Sequence, residues 1–470
     1  MSFRLYNTLS HTLVDFKPIE PGQVGLYICG PTVYDHAHVG HARAAAAFDI
    51  LVRHLKSMGL LVNYVRNYTD VDDKIINRAR EQGRDWRELS ESFIKSFNDD
   101  LKALGCLPPT HTPKATEYIQ QMQEDIKAII DAGLAYAADG DVFFDVMAFR
   151  QYGQLSGRQT EDQEAGARVA VDERKKHPAD FAMWKSTKPG EPSWPSPWGE
   201  GRPGWHIECS TMSARLLGPA FDIHGGGQDL IFPHHENELA QSAALNRPMA
   251  NIWAHNGFVN INHEKMSKSL GNFFTVKDVL KLYHPEVLRY FLVTKHYRAP
   301  IEFSDDGLKE AGRALERIYR TLKAAEELLG DYDGPKAQAD EALELKKQFI
   351  GAMDDDLNTA QAMGYVFELV HGLNRRIDAG NKAEAAFWLS ILKSLGEHLG
   401  LWQRDPTEFL ASLKTPVDGP EVEEIEKRVA LRSQARANKD WAEADRLRKE
   451  LSEMGVIVED KAGQSVWRYL

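Results

Sequence analysis

The run Val24-Gly25-Leu26-Tyr27-Ile28-Cys29, halted by Gly30-Pro31, constrains the fold more than any other stretch of this 470-residue chain. It is apolar, short and stopped by a turn, so it reads as a buried strand. A Gly/His-rich stretch, 36–41, follows it. Ala42 to Met58 is then rich in Ala, Leu and Phe and reads as a helix with Gly59 past its end. Leu60 to Asn67 reads as a second strand. Strand, loop, helix, strand is a βαβ unit, which predicts an α/β fold with a parallel sheet and helices on its faces.

The strand pattern is interrupted and then resumes. From about Ala115 to Gly201, short apolar runs (Ala135-Tyr136 and Val142-Phe143-Phe144) sit among polar segments and a Pro/Trp/Gly-rich loop, 188–204. This reads as an insertion between two halves of the sheet domain. Strand patterns return at Phe221 to His224 and at Ile252 to His255. From about Gly307 the helical period takes over, in segments Leu308 to Leu329, Asp340 to Met353, Thr359 to Ile377 and Glu384 to Leu399, as in a helical bundle. A Pro-containing linker, 405–420, leads to a charged helix and a small irregular or β piece. The expected domains are 1–114 and 202–255 for the two halves of the sheet domain, 115–201 for the insertion, 256–306 for a connecting region, 307–404 for the bundle and 405–470 for a C-terminal domain.

Three cysteines, Cys29, Cys106 and Cys209, are odd in number and far apart, which argues against a disulfide framework. The net charge of −12 does not fit a general nucleic-acid binder, although a local basic face would suffice for one partner. No apolar run is long enough for a membrane span, and the N-terminus has no basic start followed by an apolar run. A soluble cytoplasmic protein is expected.

Two short motifs carry phosphate chemistry. His38-Val39-Gly40-His41 opens the first helix; imidazoles three apart on a first turn can reach a phosphate chain together, and Gly40 lets another group approach the backbone. Taken alone, the four residues fit a His-rich surface turn better. Lys265-Met266-Ser267-Lys268-Ser269 places two lysines and small hydroxyls in a loop, suited to neutralising charge on a leaving pyrophosphate. Its alternative is a solvated charged loop. Together, in this order and each beside a strand, the motifs resemble the HIGH and KMSKS signatures of the class I aminoacyl-tRNA synthetases, with Val39 in place of Ile. That resemblance implies a Rossmann-like catalytic domain with an inserted connective subdomain. It also implies a KMSKS-loop and stem-contact region at 256–306, a helical bundle and a small C-terminal anticodon-binding domain. ATP would contact His38, Gly40, His41, Lys265 and Lys268, with His38, His41, Lys265 and Lys268 catalytic.

Cys29 ends the first strand, Cys209 lies in Trp205-His206-Ile207-Glu208-Cys209-Ser210, and His234 and Glu238 lie in Phe232-Pro233-His234-His235-Glu236-Asn237-Glu238. His234 and Glu238, at i and i+4, can share one helix face. Two thiolates, an imidazole and a carboxylate make a plausible zinc set, though buried structural cysteines are the simpler reading of spacing alone. These strings, with Gly226-Gly227-Gln228-Asp229-Leu230, Cys29 to Asp35 and Met353 to Thr359, resemble the cysteinyl-tRNA synthetases over nearly the whole chain. The resemblance implies one zinc per subunit on Cys29, Cys209, His234 and Glu238, selecting cysteine over serine as a thiolate. It implies L-cysteine, ATP with magnesium, and tRNA(Cys) as partners, an aminoacyl-adenylate pathway and, as an expectation, a monomer. No protein ligand for magnesium can be named.

The pocket residues keep their alternatives. Asp229 would hold the substrate amino group, or cap a helix; Thr69 would line the pocket, or close a strand-end turn, the reading preferred for its neighbour Asp70. His224 and Trp205 would pack around the amino acid, with core packing equally open for Trp205. His235 and Glu236 would orient the ligand helix. Lys427 to Lys449 carries eight basic and three acidic residues, fit for tRNA phosphates or for a solvated helix face with ion pairs. Trp467 would stack on an anticodon base or pack in a small core. A ligase joining cysteine to a small amine would share the zinc and ATP sites, but would not need the long C-terminal half.

Overall fold

Both strands of the βαβ pattern form, and they pair in parallel. A computed structural model describes residues 2–158, 172–261, 264–265, 274–413, 422–438, 440–454, 456–461 and 464–469. Strand β1 (Gln23–Ile28) leads through helix α1 (Val39–Ser57) to β2 (Leu61–Arg66), paired with β1 from Gln23–Leu61 to Ile28–Arg66. Helix α2 (Trp205–Leu217) precedes β3 (Ala220–Gly227); helix α3 (Glu236–Ala244) joins β3 to β4 (Met249–Asn256), again in parallel. The order across the sheet is β4-β3-β1-β2. The crossovers therefore run in opposite directions from β1 and β3, which sit side by side. Such a switch point opens a crevice at the carboxyl ends of the two central strands, where ligands bind in open α/β sheets. Cys29 and Gly226-Gly227 stand at those ends.

Helix α1 begins earlier than its apolar period predicts, because its cap is made by the histidines. His38 is the N-cap: its Nδ1 accepts from the His41 N–H at 3.2 Å, and the His41 Nδ1 accepts from the His38 N–H at 3.3 Å. This is a reciprocal capping box made with imidazoles. Ala42, Ala46, Phe48, Leu51 and Leu55 on the helix are buried in the main core.

Between β2 and α2 lies a separate antiparallel sheet, Ala135–Ala138, Asp141–Phe144, Phe181–Ser186 and Gly201–Pro203 in that order, with its own core around Phe144, Met183 and Trp184. After β4, a short strand Val259–Ile261 pairs antiparallel with Glu264–Lys265 and parallel with Ile301–Glu302. Four long helices follow, Asp305–Leu329, Asp340–Asp354, Thr359–Asp378 and Lys382–Leu399, each within a few residues of its expected bounds. Ser304, Asn358 and Asn381 cap three of them through side-chain oxygens. The last described part has helices Val422–Ala437 and Trp441–Glu453 and a hairpin, Val456–Lys461 with Gln464–Tyr469. Trp467 is half-buried there against Ile425, Val429 and Leu451, which is the packing alternative read for it. Of the basic residues, Arg428 is paired with Glu424 and Glu450, and Arg446 with Glu443 and Glu450. Among the described residues, no helix is long and apolar enough to cross a membrane.

Helix α1 is tied to the bundle by two buried histidines. His54 Nδ1 lies 3.0 Å from His398 Nε2, and His54 Nε2 lies 3.1 Å from Asp354 Oδ1. Burial pushes His54 down to about 4 and His398 down to about 3. Both are thus neutral in the fold, while an unfolded histidine binds a proton near about 6.5. The unfolded chain binds more protons in between, so this stabilisation is complete above about pH 6.5 and is lost as pH falls towards the folded values. Each histidine contributes on the order of 3 kcal/mol to the change. The melting midpoint should fall between about pH 7 and about pH 4.5, and fall less in His398→Gln; an equal fall in both would contradict this account.

Candidate active site and metal centre

Four side chains from four places in the chain converge beside the switch point. Cys29 follows β1, Cys209 lies in α2, His234 lies in the irregular turn Ile231–His235, and Glu238 lies in the first turn of α3. Their donor atoms all lie within 4.8 Å of one another. Cys29 Sγ is 3.6 Å from Cys209 Sγ and 3.5 Å from Glu238 Oε1; His234 Nε2 is 3.7 Å from Cys209 Sγ and 2.9 Å from Glu238 Oε1. A tetrahedral zinc with bonds of about 2.0–2.3 Å spaces its donors about 3.3–3.8 Å apart. Three of the four separations fall in that range, and the fourth is a direct hydrogen bond that an ion would open. The donor set, two sulfurs, a nitrogen and an oxygen, suits zinc.

Electrostatics make the cluster receptive to a cation. Burial raises the Glu238 carboxyl, but His234 and His224 outweigh it and hold the group well below the usual range. Burial lowers His234, yet the Glu238 carboxylate and Cys209 bring it up to about 9. For Cys209, burial acts upward, while hydrogen bonds from Cys29 and His234 bring it down to about 6. Burial, then the neighbouring Cys209, keeps Cys29 well above a normal thiol. Without an ion, a thiolate and a carboxylate therefore face an imidazolium and a thiol; a divalent cation displaces those two protons.

The outer partners are in place. His206 Nδ1 lies 2.8 Å from His234 Nδ1, leaving Nε2 for an ion, and Trp205 stacks on the His234 ring with centroids 3.9 Å apart. Such outer contacts orient metal ligands. His224 is buried behind Glu238, with Nε2 2.8 Å from Oε2 and Nδ1 3.1 Å from the Tyr27 carbonyl; it is not among the residues that line the cavity. Cys29, His224, His235 and Glu238 form a second group within 4.8 Å. The two groups share Cys29 and Glu238; the one with Cys209 and His234 brings a second sulfur, which suits zinc better than a second imidazole buried deeper in the fold. Glu236 accepts from the N–H groups of Gly153, Leu155 and Ser156, which fits the orienting role read for it.

The cavity has a volume of about 290 Å³ and runs from Cys29 to the start of α1. His38, Gly40, His41, Trp205, Gly227 and Asp229 line it, together with residues the sequence reading missed: Arg66, Lys74, Asn256, Gly257 and Phe258. The His38 and His41 rings stack with centroids 3.7 Å apart. At Gly30 a Cβ would come within 1.6 Å of the Asn67 carbonyl oxygen, so only glycine lets the loops after β1 and β2 meet there. The Thr69 hydroxyl donates to Glu208 Oε2 at 2.5 Å, both buried; the residue is not among those that line the cavity. Asp70 accepts from the Thr116 N–H and hydroxyl, as a strand-end turn residue does. Of the second motif, only the backbone of Lys265 is placed, at the end of its short strand; Lys268 lies outside the described residues. Nothing in the local sequence marks His206, His255 or Glu208 as partners, because each bond crosses 20 or more positions.

A profile of the family described as "tRNA synthetases class I (C) catalytic domain" matches residues 15–313, and a "DALR domain" profile matches 348–403. The "Cysteinyl-tRNA ligase anticodon binding domain" matches 423–468. With the parallel sheet and its switch-point cavity, these define a class I aminoacyl-tRNA synthetase with an anticodon-binding part for tRNA. Among solved structures, a methionyl-tRNA synthetase of Mycobacterium tuberculosis superposes with TM-score 0.59 at 15% identity, covering 90% of this chain and 96% of that one. A leucyl enzyme, LeuRS of Agrobacterium radiobacter, gives 0.61 at 12%, covering 97% and 91%. These likenesses speak to the fold. A cysteine–tRNA ligase of Geobacter sulfurreducens is 52% identical over the whole of both chains, and one of Alkalilimnicola ehrlichii is 50% identical over 99% of each. The chain belongs to the cysteine–tRNA ligase family.

Proposed function

We propose that this chain activates L-cysteine with ATP to cysteinyl adenylate, releasing pyrophosphate, and transfers the cysteine to the 3′ end of tRNA(Cys). One observation carries the choice of amino acid: Cys29, Cys209, His234 and Glu238 meet at one centre, and Cys29 of that centre lines the same cavity as the His38–His41 pair. Those four residues would hold one zinc per subunit. When bound, zinc supplies a thiol-lowering, sulfur-preferring position that a serine alcohol cannot use at neutral pH.

The chain's own residues do the rest by positioning and charge. Asp229, on the wall near Gly227, would take the substrate ammonium. Trp205 closes the side of the amino-acid pocket against His234. His38 and His41, at the positive end of α1, would bind the phosphates, with Gly40 allowing close approach. Lys265 and Lys268 would draw off pyrophosphate, which enters as part of a magnesium–ATP complex. No covalent enzyme intermediate is required. The division of labour follows the domains read from sequence: 1–114 and 202–255 for catalysis, 115–201 as the connective insertion, 256–306 for the lysine loop and stem contact, 307–404 as the bundle and 405–470 for the anticodon. The enzyme would act as a cytoplasmic monomer.

The test is cysteine-dependent exchange of pyrophosphate into ATP, followed by charging of tRNA(Cys), on protein whose zinc content has been measured. Exchange with cysteine but not serine, and about one zinc per chain, is the expected result. Exchange that is indifferent to the amino acid would sink the reading.

A further inference from the structure

The aspartate run Asp354-Asp355-Asp356, at the end of the second bundle helix, grips three separate parts of the catalytic body. Asp354 bonds His54 of α1, Asp355 pairs with Arg4, and Asp356 is buried against the segment 296–299. Its Oδ1 accepts from the Tyr6 N–H at 2.8 Å and the Tyr297 hydroxyl at 2.9 Å, while Oδ2 accepts from Arg298 Nε at 2.7 Å. Arg298 also covers the Tyr6 ring, 4.3 Å from its centroid. Asp356 and Leu357 both sit in the left-handed region, at φ 59° and 54°, although neither is glycine. Two such residues in succession persist only where the surroundings over-determine them, and they gather at functional joints.

The segment that Asp356 grips lies directly behind the floor of the active-site cavity. Gly257, on the cavity wall, donates its N–H to the Tyr297 carbonyl at 2.8 Å; a Cβ there would lie 2.5 Å from the Ala299 carbonyl group. Gln228, next to Asp229, donates to the Arg298 carbonyl at 3.3 Å. From the other side Arg43, two residues beyond His41, is buried and donates to the carbonyls of Leu292, His296 and Tyr297. The segment then runs into Ile301–Glu302, which pairs with the strand that turns back to Lys265. One short stretch thus touches the helix of the first motif, the cavity floor and the strand pair of the second motif, and the bundle holds it through the buried Asp356 carboxylate.

The anticodon-binding match begins at 423, just after the bundle in the chain. We propose that Asp356 and Arg298 are positioning residues through which engagement of tRNA by the bundle and C-terminal part sets the cavity floor for transfer of the amino acid. This rests on the aminoacylation reading above. Arg43 and Gly257 hold the same segment through bonds that do not involve the pair, so adenylate formation is expected to survive its loss.

The experiment uses the full chain with Arg298→Ala, Arg298→Lys, Asp356→Asn and the double variant Asp356→Asn/Arg298→Ala. It measures tRNA-free, cysteine-dependent pyrophosphate exchange, kcat and KM for tRNA charging, and melting temperature. Arg298→Ala should charge at about one tenth of the wild-type kcat or less, with exchange and the KM for tRNA within about threefold, as for a coupling of ordinary size. The lysine variant should recover most of the loss, and the double variant should be no worse than the worse single one. Equal falls in exchange and charging, or unchanged charging, would overturn the proposal. Should Arg298→Ala melt below the assay temperature, Asp356→Asn decides it by the same ratio of charging to exchange. A wild-type chain that does not charge tRNA would instead refute the underlying reading, and the inference with it.

Discussion

Replacing Cys209 by serine is expected to strip the metal and, with it, the preference for cysteine. Cys209 is fully buried, 3.6 Å from Cys29 and 3.7 Å from His234. Serine fills almost the same space, so the helix around it should keep its packing, and a melting measurement checks that. The difference is chemical. The Cys209 thiol already sits at about 6, whereas an alcohol does not ionise near neutral pH and is a poor zinc ligand. Loss of one of four ligands should weaken zinc binding by about a hundredfold or more, since even outer-sphere changes cost about 10- to 100-fold. With the ion gone, only ordinary contacts separate cysteine from serine, and the ratio of their exchange rates should drop to about a hundredfold or below. Metal analysis of the purified variant and exchange with each amino acid measure both effects. A Cys209→Ser protein that keeps one zinc per chain and full selectivity would show that the metal assignment is wrong.

The second large effect is expected at His41. Its ring stacks on His38, lines the cavity and caps the N-terminus of α1. His41→Ala removes a donor aimed at developing phosphate charge, and removal of one such preorganised donor costs about 100- to 1000-fold in kcat. It also removes half of the reciprocal cap, worth about 1 kcal/mol of stability. The two consequences can be separated. Glutamine at this position of a capping box still reaches back to the N-cap N–H. His41→Gln should therefore melt near the wild type while pyrophosphate exchange stays low. If exchange in His41→Gln returned to wild-type rates, His41 would be a helix cap and no more.

Much of this site was legible one segment at a time. The strand before Gly30-Pro31, the Ala-rich helix and the long bundle helices follow from apolar periods and caps, which act over a few residues. The cavity's location follows from them once the strand order is known. Thr69 and His224 show what a segment leaves open. Each lies near a cavity-lining segment, but its side chain turns to a buried carboxylate, Glu208 or Glu238, that comes from another helix. A position along the chain does not tell which of two neighbouring faces a side chain takes. The same holds for Asp356, whose partners Tyr6 and Arg298 are 350 and 58 positions away.

The amino-acid sequence by itself determined the local elements, the chemistry of each motif and the family resemblance, because short-range periodicity and residue type carry those. Only the tertiary structure decided that Cys29 and Glu238, 209 positions apart, share one centre, and that His206 and His224 brace it. The physical reason is that the order β4-β3-β1-β2 is set by burial of whole faces against one another, a choice made between segments distant in the chain and written in none of them singly.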